Sequence, residues 1–246
     1  MSEAHHLFGF HAVTARLRVG PDRVRALYVD ETRRDGRLRE LVERARLAGV
    51  AVHPVEAARL AALCGNDRHQ GVVALVTGEV AAHTLDELLG GLAEPALLLV
   101  LDGVTDPHNL GACLRSADAF GVHGVIVPKD RAVGVNATVA KAASGAADTI
   151  PVVSVTNLAR ALRELKERGV WVLGADERGT ESLFDADLSG PLAWVLGAEG
   201  EGLRRLTREH CDRLVRIPLQ GSVESLNVSV AAGVCLFATR QQRSRR

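Results

Sequence analysis

Three short stretches of this 246-residue chain gather the side chains that could do chemistry. The first is Asp102-Gly103-Val104-Thr105-Asp106-Pro107-His108-Asn109-Leu110-Gly111-Ala112-Cys113-Leu114-Arg115. The second is Leu196-Gly197-Ala198-Glu199-Gly200-Glu201-Gly202-Leu203. The third is Arg216-Ile217-Pro218-Leu219-Gln220-Gly221-Ser222-Val223-Glu224-Ser225-Leu226-Asn227-Val228-Ser229. Their glycines and polar groups fit none of the common catalytic signatures. No GxxxxGK[ST] is present, which excludes a phosphate-loop nucleotidase. The glycines at 197, 200 and 202 do not space as GxGxxG, so a Rossmann dinucleotide site is a poor reading, and with it a dehydrogenase. HExxH and clustered His/Cys ligands are missing, so no metal is expected. GxSxG is missing too, and Ser225 has no His base near it in sequence, though a distant partner such as His108 stays open.

Each stretch follows an apolar run that reads as a strand. From residue 96 onward, strands are expected over 96–101, 124–127, 150–153, 170–175, 192–197 and 214–217. Helices are expected over 110–120, 137–143, 158–168, 203–210 and 226–239. The strands are continuous apolar runs without polar alternation, as when helices cover both faces of a mainly parallel sheet. Ligands bind such sheets beyond the carboxyl ends of their strands, where the three stretches lie. Upstream, helices are expected over 10–18, 37–48 and 56–63, and strands over 25–29, 50–53 and 71–76. Leu38, Leu41, Val42 and Ala45 recur at helical spacing, and Gly49 then stops the helix. The expected fold is therefore α/β with two parts. Residues 1–78 form a small α/β domain, 79–95 a linker with a weak helix and a Gly-Gly break, and 96–246 the parallel-sheet domain.

Composition narrows the class. Hydrophobic residues make up 47% of the chain, enough for a core, which excludes disorder as the main state. The longest useful apolar run, Ala96 to Leu101, is far short of the ~20 residues that span a bilayer. The opening MSEAHHLFGF has no basic segment followed by an apolar stretch, so secretion is not expected. Cys64, Cys113, Cys211 and Cys235 are scattered without a CxxC, which favours reduced thiols in the cytoplasm. Net charge is zero, but residues 1–78 hold twelve arginines, no lysine and nine acids, a surplus of three positive charges. Arginine offers a planar fork of donors suited to phosphate; codon usage in a GC-rich genome is the competing explanation. Four arginines fall in the last seven residues, a solvated tail that can also touch phosphate.

Taken together and in order, the three stretches resemble the signature motifs of the SpoU (TrmH) branch of the SPOUT methyltransferases. The first motif corresponds to Asn109, Gly111, Ala112 and Arg115, and the second to Leu196, Gly197, Glu199, Gly202 and Leu203. The third corresponds to Ile217, Pro218, Gly221, Ser225, Leu226, Asn227, Ser229 and Ala231. Gly9-Phe10-His11-Ala12-Val13 and His69-Gln70-Gly71-Val72 resemble the small substrate-recognition domain of the same family. The resemblance implies a deep trefoil knot, which periodicity does not reveal and which base rates disfavour. It also implies a homodimer with sites completed across its interface. The implied activity is methyl transfer from S-adenosylmethionine to the ribose 2′-hydroxyl of a guanosine in 23S ribosomal RNA.

By the same resemblance, Leu196, Gly197, Gly202, Ile217, Pro218 and Leu226 would hold the cofactor, with the glycines letting backbone approach it closely. Arg115, Asn109, Glu199, Ser225 and Asn227 would be the catalytic group. Methyl transfer needs alignment and help in removing the hydroxyl proton. A guanidine with a pKa above ~12 is a costly base, which favours Arg115 as a clamp on phosphate and on the developing alkoxide. Its alternative is a surface salt bridge. Asn109 would orient Arg115 or the ribose, or cap its helix. Glu199 would pair with Arg115 or position substrate, or lie solvated. Ser225 and Asn227 combine capping and active-site hydrogen bonding. Arg16, Arg18, Arg33, Arg34, Arg37 and also Arg39 are, as a group, candidate RNA phosphate contacts. His11 and His69 read equally as structural or RNA-facing. The same chemistry on transfer RNA, or a non-catalytic RNA-binding assembly factor, are the rival readings.

Overall fold

The computed structural model describes residues 4–65, 69–77, 84–90, 92 and 94–245. It divides into two compact units, Met1–Ala81 and Ala82–Arg246.

The N-terminal unit contains β1 (Ala4–Phe8), α1 (Phe10–Val19), β2 (Val24–Asp30), α2 (Gly36–Leu47), β3 (Ala51–Val55), α3 (Ala57–Cys64) and β4 (Val72–Thr77). Its sheet runs in the order β1-β4-β2-β3. Strand β4 is antiparallel to both β1 and β2, while β2 and β3 are parallel. Pro54 fits in β3 because that strand lies at the sheet edge, where a missing N–H costs little. Helix α2 starts where the Asp35 carboxylate accepts the Leu38 N–H at 3.1 Å, and it buries Leu38, Leu41 and Ala45. Gly49, at φ +74, follows its end. Strand β1 was not expected: His5 and His6 interrupt its pattern, and its pairing to β4 is long-range.

The C-terminal unit contains α4 (Leu85–Leu89), β5 (Leu97–Asp102), α5 (Pro107–Ala119), β6 (Gly124–Pro128), α6 (Ala137–Ala143), β7 (Val152–Val155) and α7 (Leu158–Glu167). Then come β8 (Trp171–Ala175), β9 (Glu181–Ser182), β10 (Leu192–Gly197), α8 (Arg205–His210), β11 (Arg213–Arg216) and α9 (Val228–Arg243). Every strand pairing in this sheet is parallel, in the order β7-β6-β5-β10-β8-β11-β9. The expected α/β architecture with helices on both faces is present. Strand β5 is buried along its whole length. Leu97, Leu99 and Leu101 join Trp194 and Leu196 in one core with residues of α5 and α9. Leu98 and Val100 join Ala193 and Val195 in a second core with residues of α4 and α7. This is the period-two alternation of a strand, with both faces apolar.

The weak helix expected within 79–95 is α4. Thr84 and Glu87 form a reciprocal capping box on α4, and Leu85 and Leu88 are buried. A Cβ on Gly124 would lie 2.5 Å from Leu88 Cδ1, so β6 needs a glycine beneath this helix. In α5, a Cβ on Gly111 would come 2.4 Å from Ala142 Cβ and 2.8 Å from the Val139 carbonyl oxygen. Gly111 therefore lets α5 and α6 pack almost backbone to backbone. Replacing it by alanine raises intrinsic helix propensity, yet Gly111→Ala should destabilise the protein by roughly 1–3 kcal/mol through overpacking. Urea unfolding checks this; a midpoint equal to or above wild type would mean that the two helices are not held so tightly.

Candidate active site

The three sequence stretches emerge from the carboxyl ends of β5, β10 and β11. The first two are neighbours, with Asp102 and Gly197 opposite each other in the parallel ladder. Strand β11 is separated from β10 by β8, so the third stretch must cross over to reach them. It does so at Asn227. The Asn227 side-chain amide donates to Asn109 Oδ1 at 2.9 Å and to a carboxylate oxygen of Glu199. Its own oxygen accepts the N–H of Ser229 at 2.9 Å and the Ser229 hydroxyl at 2.6 Å, which caps α9. One carboxamide thus joins one residue from each of the other two stretches and starts the last helix.

Asn109 does not cap α5. Asp106 does, accepting the His108 N–H at 2.9 Å, with Pro107 in the first helical position. Asn109 lies inside the first turn, which frees its carboxamide for Asn227. Glu199 is engaged by Asn227 and forms no ion pair with Arg115. Arg115 is exposed on α5, about 9 Å of helical rise beyond Asn109, and makes no hydrogen bond or ion pair among the described residues. It is neither spent in a surface salt bridge nor oriented by Asn109.

Beside this node lies a cavity of about 350 Å³, within the range of sites for small molecules. Leu196, Gly197, Gly202, Ile217 and Leu226 line it, together with Glu199 and Ser225. Pro218 does not line it, although Ile217 and Leu219 on either side do. The loop after β10 is tightly closed. Gly202 N–H donates to the Ala198 carbonyl at 2.9 Å, and a Cβ on Gly197 would overlap the Gly202 carbonyl carbon at 2.0 Å. Gly200 and Gly202 adopt φ of +79 and +65, where only glycine is unstrained.

Sequence reasoning missed a fourth contributor, the segment after β8. Asp176, Glu177 and Arg178 line the cavity. Arg208 of α8 also lines it, donating to Asp176 at 3.1 Å and to the Leu203 carbonyl at 2.9 Å. The signal was available: this segment also follows a parallel strand and is polar with a glycine. Gly179 there is required, since a Cβ would sit 2.7 Å from the Leu214 carbonyl oxygen. The wall carries five carboxylates (Asp176, Glu177, Glu199, Glu201 and Glu224) against two guanidiniums, an excess of negative charge that suits a cation. Burial pushes the thiols of Cys113, Cys211 and Cys235 up to about 12, so none of them is a nucleophile at neutral pH.

In the N-terminal unit the arginines differ in environment. Arg16 is only 6% exposed and faces the interior, against its expected place as a phosphate contact. Arg33 is internally engaged: it lies 4.6 Å over the Phe10 ring and donates to Asp35 and to the Gln70 carbonyl. Arg37 lies 5.2 Å over the same ring. Arg34 and Arg39 are exposed, Arg34 donating to backbone carbonyls including that of Arg33 at 3.1 Å. The side chains of Arg18 and His11 lie outside the described residues. His69 is structural: its Nδ1 accepts the Gly71 N–H at 3.0 Å within a buried turn.

Comparison with known proteins fits this arrangement. The SpoU rRNA methylase family matches residues 96–237, and the RNA 2′-O ribose methyltransferase substrate-binding family matches 6–79. A Ralstonia nicotianae protein named 23S rRNA (guanosine-2′-O-)-methyltransferase RlmB is 60% identical over 244 residues, covering 99% of this chain and 98% of its own. The SpoU methyltransferase AviRb of Streptomyces viridochromogenes, solved in complex with the cofactor AdoMet, is 28% identical with a TM-score of 0.72. It covers 99% of this chain and 92% of its own. A TrmH/SpoU tRNA modifying enzyme of A. aeolicus is 27% identical with a TM-score of 0.56, and covers 62% of this chain and 79% of its own. Three strand-end loops meeting at one carboxamide, matched over their whole domain, have a single explanation: the chain belongs to the SpoU rRNA methylase family.

Proposed function

We propose that this protein transfers a methyl group from S-adenosylmethionine to the ribose 2′-hydroxyl of a guanosine in 23S ribosomal RNA. The observation that carries the reading is the Asn227 node, which sets Asn109, Glu199 and the cavity into one constellation. The end-to-end likeness to the Ralstonia enzyme supports the ribosomal substrate. The A. aeolicus transfer-RNA enzyme, by contrast, matches only 62% of the chain.

The cavity fits the cofactor on three counts. Its volume is adequate, its wall offers Leu196, Ile217 and Leu226 to an adenine ring, and its carboxylates suit a sulfonium. The backbone N–H of Leu226 has no hydrogen-bond partner among the described residues, which leaves it free to read a base edge. S-Adenosylmethionine, when bound, supplies a methyl group already activated by the positive charge on sulfur. The protein then has to orient the ribose and stabilise the hydroxyl as it loses its proton. The unpaired Arg115 is the group for that task, clamping the adjacent phosphate and the developing alkoxide. Asn109 and Glu199, held by Asn227, would position the ribose, with Ser225 at the cavity wall. Gly197 and Gly202 would let the backbone close on the ligand, and Pro218 would fix the chain between Ile217 and Leu219. Arg34, Arg37 and Arg39 are the exposed members of the RNA-contact group.

The reading includes a trefoil knot, supported by the strand order β5-β10-β8-β11 and by the return of residues 217–227 to the β10 loop. It includes a homodimer through the C-terminal unit, for which exposed Val230 and Phe237, one heptad apart on α9, offer an apolar face. A ribosomal RNA substrate supports a cytoplasmic location as part of the same reading.

Mass-spectrometric mapping of 2′-O-methyl marks in ribosomal RNA from cells lacking the gene tests the function; an unchanged 23S pattern refutes it. Arg115→Ala should lower methylation by roughly 10²-fold or more with cofactor binding retained. Wild-type turnover in that variant would remove Arg115 from the mechanism. RNA affinity should fall about tenfold or more between roughly 50 and 200 mM salt, as two or three neutralised phosphates require. A filter-binding titration across that range checks it, and a flat response would rule out a phosphate-led interface.

A further inference from the structure

Asp102 ends β5, and its side chain is fully shielded from solvent. Its backbone neighbour in the sheet is Gly197, where the 198–204 loop leaves β10. One of its carboxylate oxygens accepts the backbone N–H of Arg204 at 3.1 Å, where that loop ends and α8 begins. The other oxygen has no hydrogen bond among the described residues and faces the Arg204 guanidinium at 3.4 Å. The next residue, Gly103, has φ +83, and a Cβ there would lie 2.7 Å from Arg204 Nη2. Residue 102 thus touches both ends of the loop that carries Glu199. The chain just beyond it becomes α5, which carries Asn109 and Arg115.

A buried carboxylate with one oxygen lacking a hydrogen bond is a costly way to stabilise a strand end. Its geometry makes sense as a latch. We propose that Asp102, acting through Arg204, is a positioning residue for methyl transfer: it holds the cofactor loop at a fixed distance from α5, so the cavity is formed before the cofactor arrives. The proposal rests on the function given above and adds a residue to it. Asp102 touches neither cofactor nor ribose in this scheme. Its effect is preorganisation, which removes the ordering cost of binding.

Asp102→Asn keeps an acceptor for the Arg204 N–H and removes the charge facing the guanidinium. Arg204→Ala, at a partly exposed side chain, serves should the first variant fail to fold. In the full chain without cofactor, amide exchange within 198–204 should accelerate on the order of tenfold while β5 and β10 stay protected. In the assay, KM for S-adenosylmethionine should rise about tenfold, kcat at saturating cofactor should fall less than about threefold, and KM for RNA should hold. The double variant should lose no more than the worse single one, and Arg204→Lys should recover part of the cofactor KM. Unchanged loop exchange, a wild-type cofactor KM, a rise in KM for RNA of similar size, or additive losses would each overturn the latch. Absence of methyl transfer by the wild-type protein would instead overturn the function, and the exchange measurement would still decide the latch.

Discussion

The side-chain amide of Asn227 holds the site together. It reaches 118 residues back to Asn109 and 28 residues back to Glu199. Its two N–H groups are spent on those partners and its oxygen on the start of α9. A planar carboxamide with every donor and acceptor committed has one orientation, so the first turn of α5, the loop after β10 and the first turn of α9 share one register. No other uncharged side chain of that size both donates twice and accepts, and an aspartate there would set carboxylate against carboxylate at Glu199.

That node works because the sheet delivers its partners. All seven strands run parallel, so every helix and loop after a strand opens at the same edge. The strand order then brings the loops of β5 and β10 side by side, and the returning segment adds Ile217, Leu219 and Leu226 to the cavity wall. Apolar burial on both faces fixes the strands, with Leu97 to Leu101 alternating between two cores. Buried polar groups are few among the described residues, and two of them are joined across the core. The Trp194 indole donates to Thr239 at 2.9 Å, and the Thr239 hydroxyl donates to the Cys235 carbonyl at 2.9 Å. Asp102 keeps one buried carboxylate oxygen without a hydrogen bond among the described residues, and its position between two site loops explains why a charge is kept there.

The division of labour among charges follows from the same geometry. Carboxylates crowd the cavity, where a sulfonium would sit, and the one unengaged guanidinium of the first motif projects from α5. Arginines that sequence groups together separate by environment. Arg16 is interior, Arg33 braces the Phe10 and Gln70 turn, and Arg34 and Arg39 stay exposed. Composition could count them but could not tell a brace from a phosphate contact, because both use the same fork of donors.

Sequence by itself determined the parallel α/β class, most element positions, and the three loops, because apolar runs and glycine-rich breaks are local signals. Asp106-Pro107 and Thr84-x-x-Glu87 are local helix-start signals too, and of the two roles open to Asn109 the capping one belongs to Asp106. What only the tertiary structure decided was who meets whom. That Asn227 finds Asn109 and Glu199, that the segment after β8 joins the wall, that β1 pairs with β4, and that Asp102 grips Arg204 all depend on long-range crossings of the chain. Strand order is set by the packing of whole faces, which no local spacing of residues encodes.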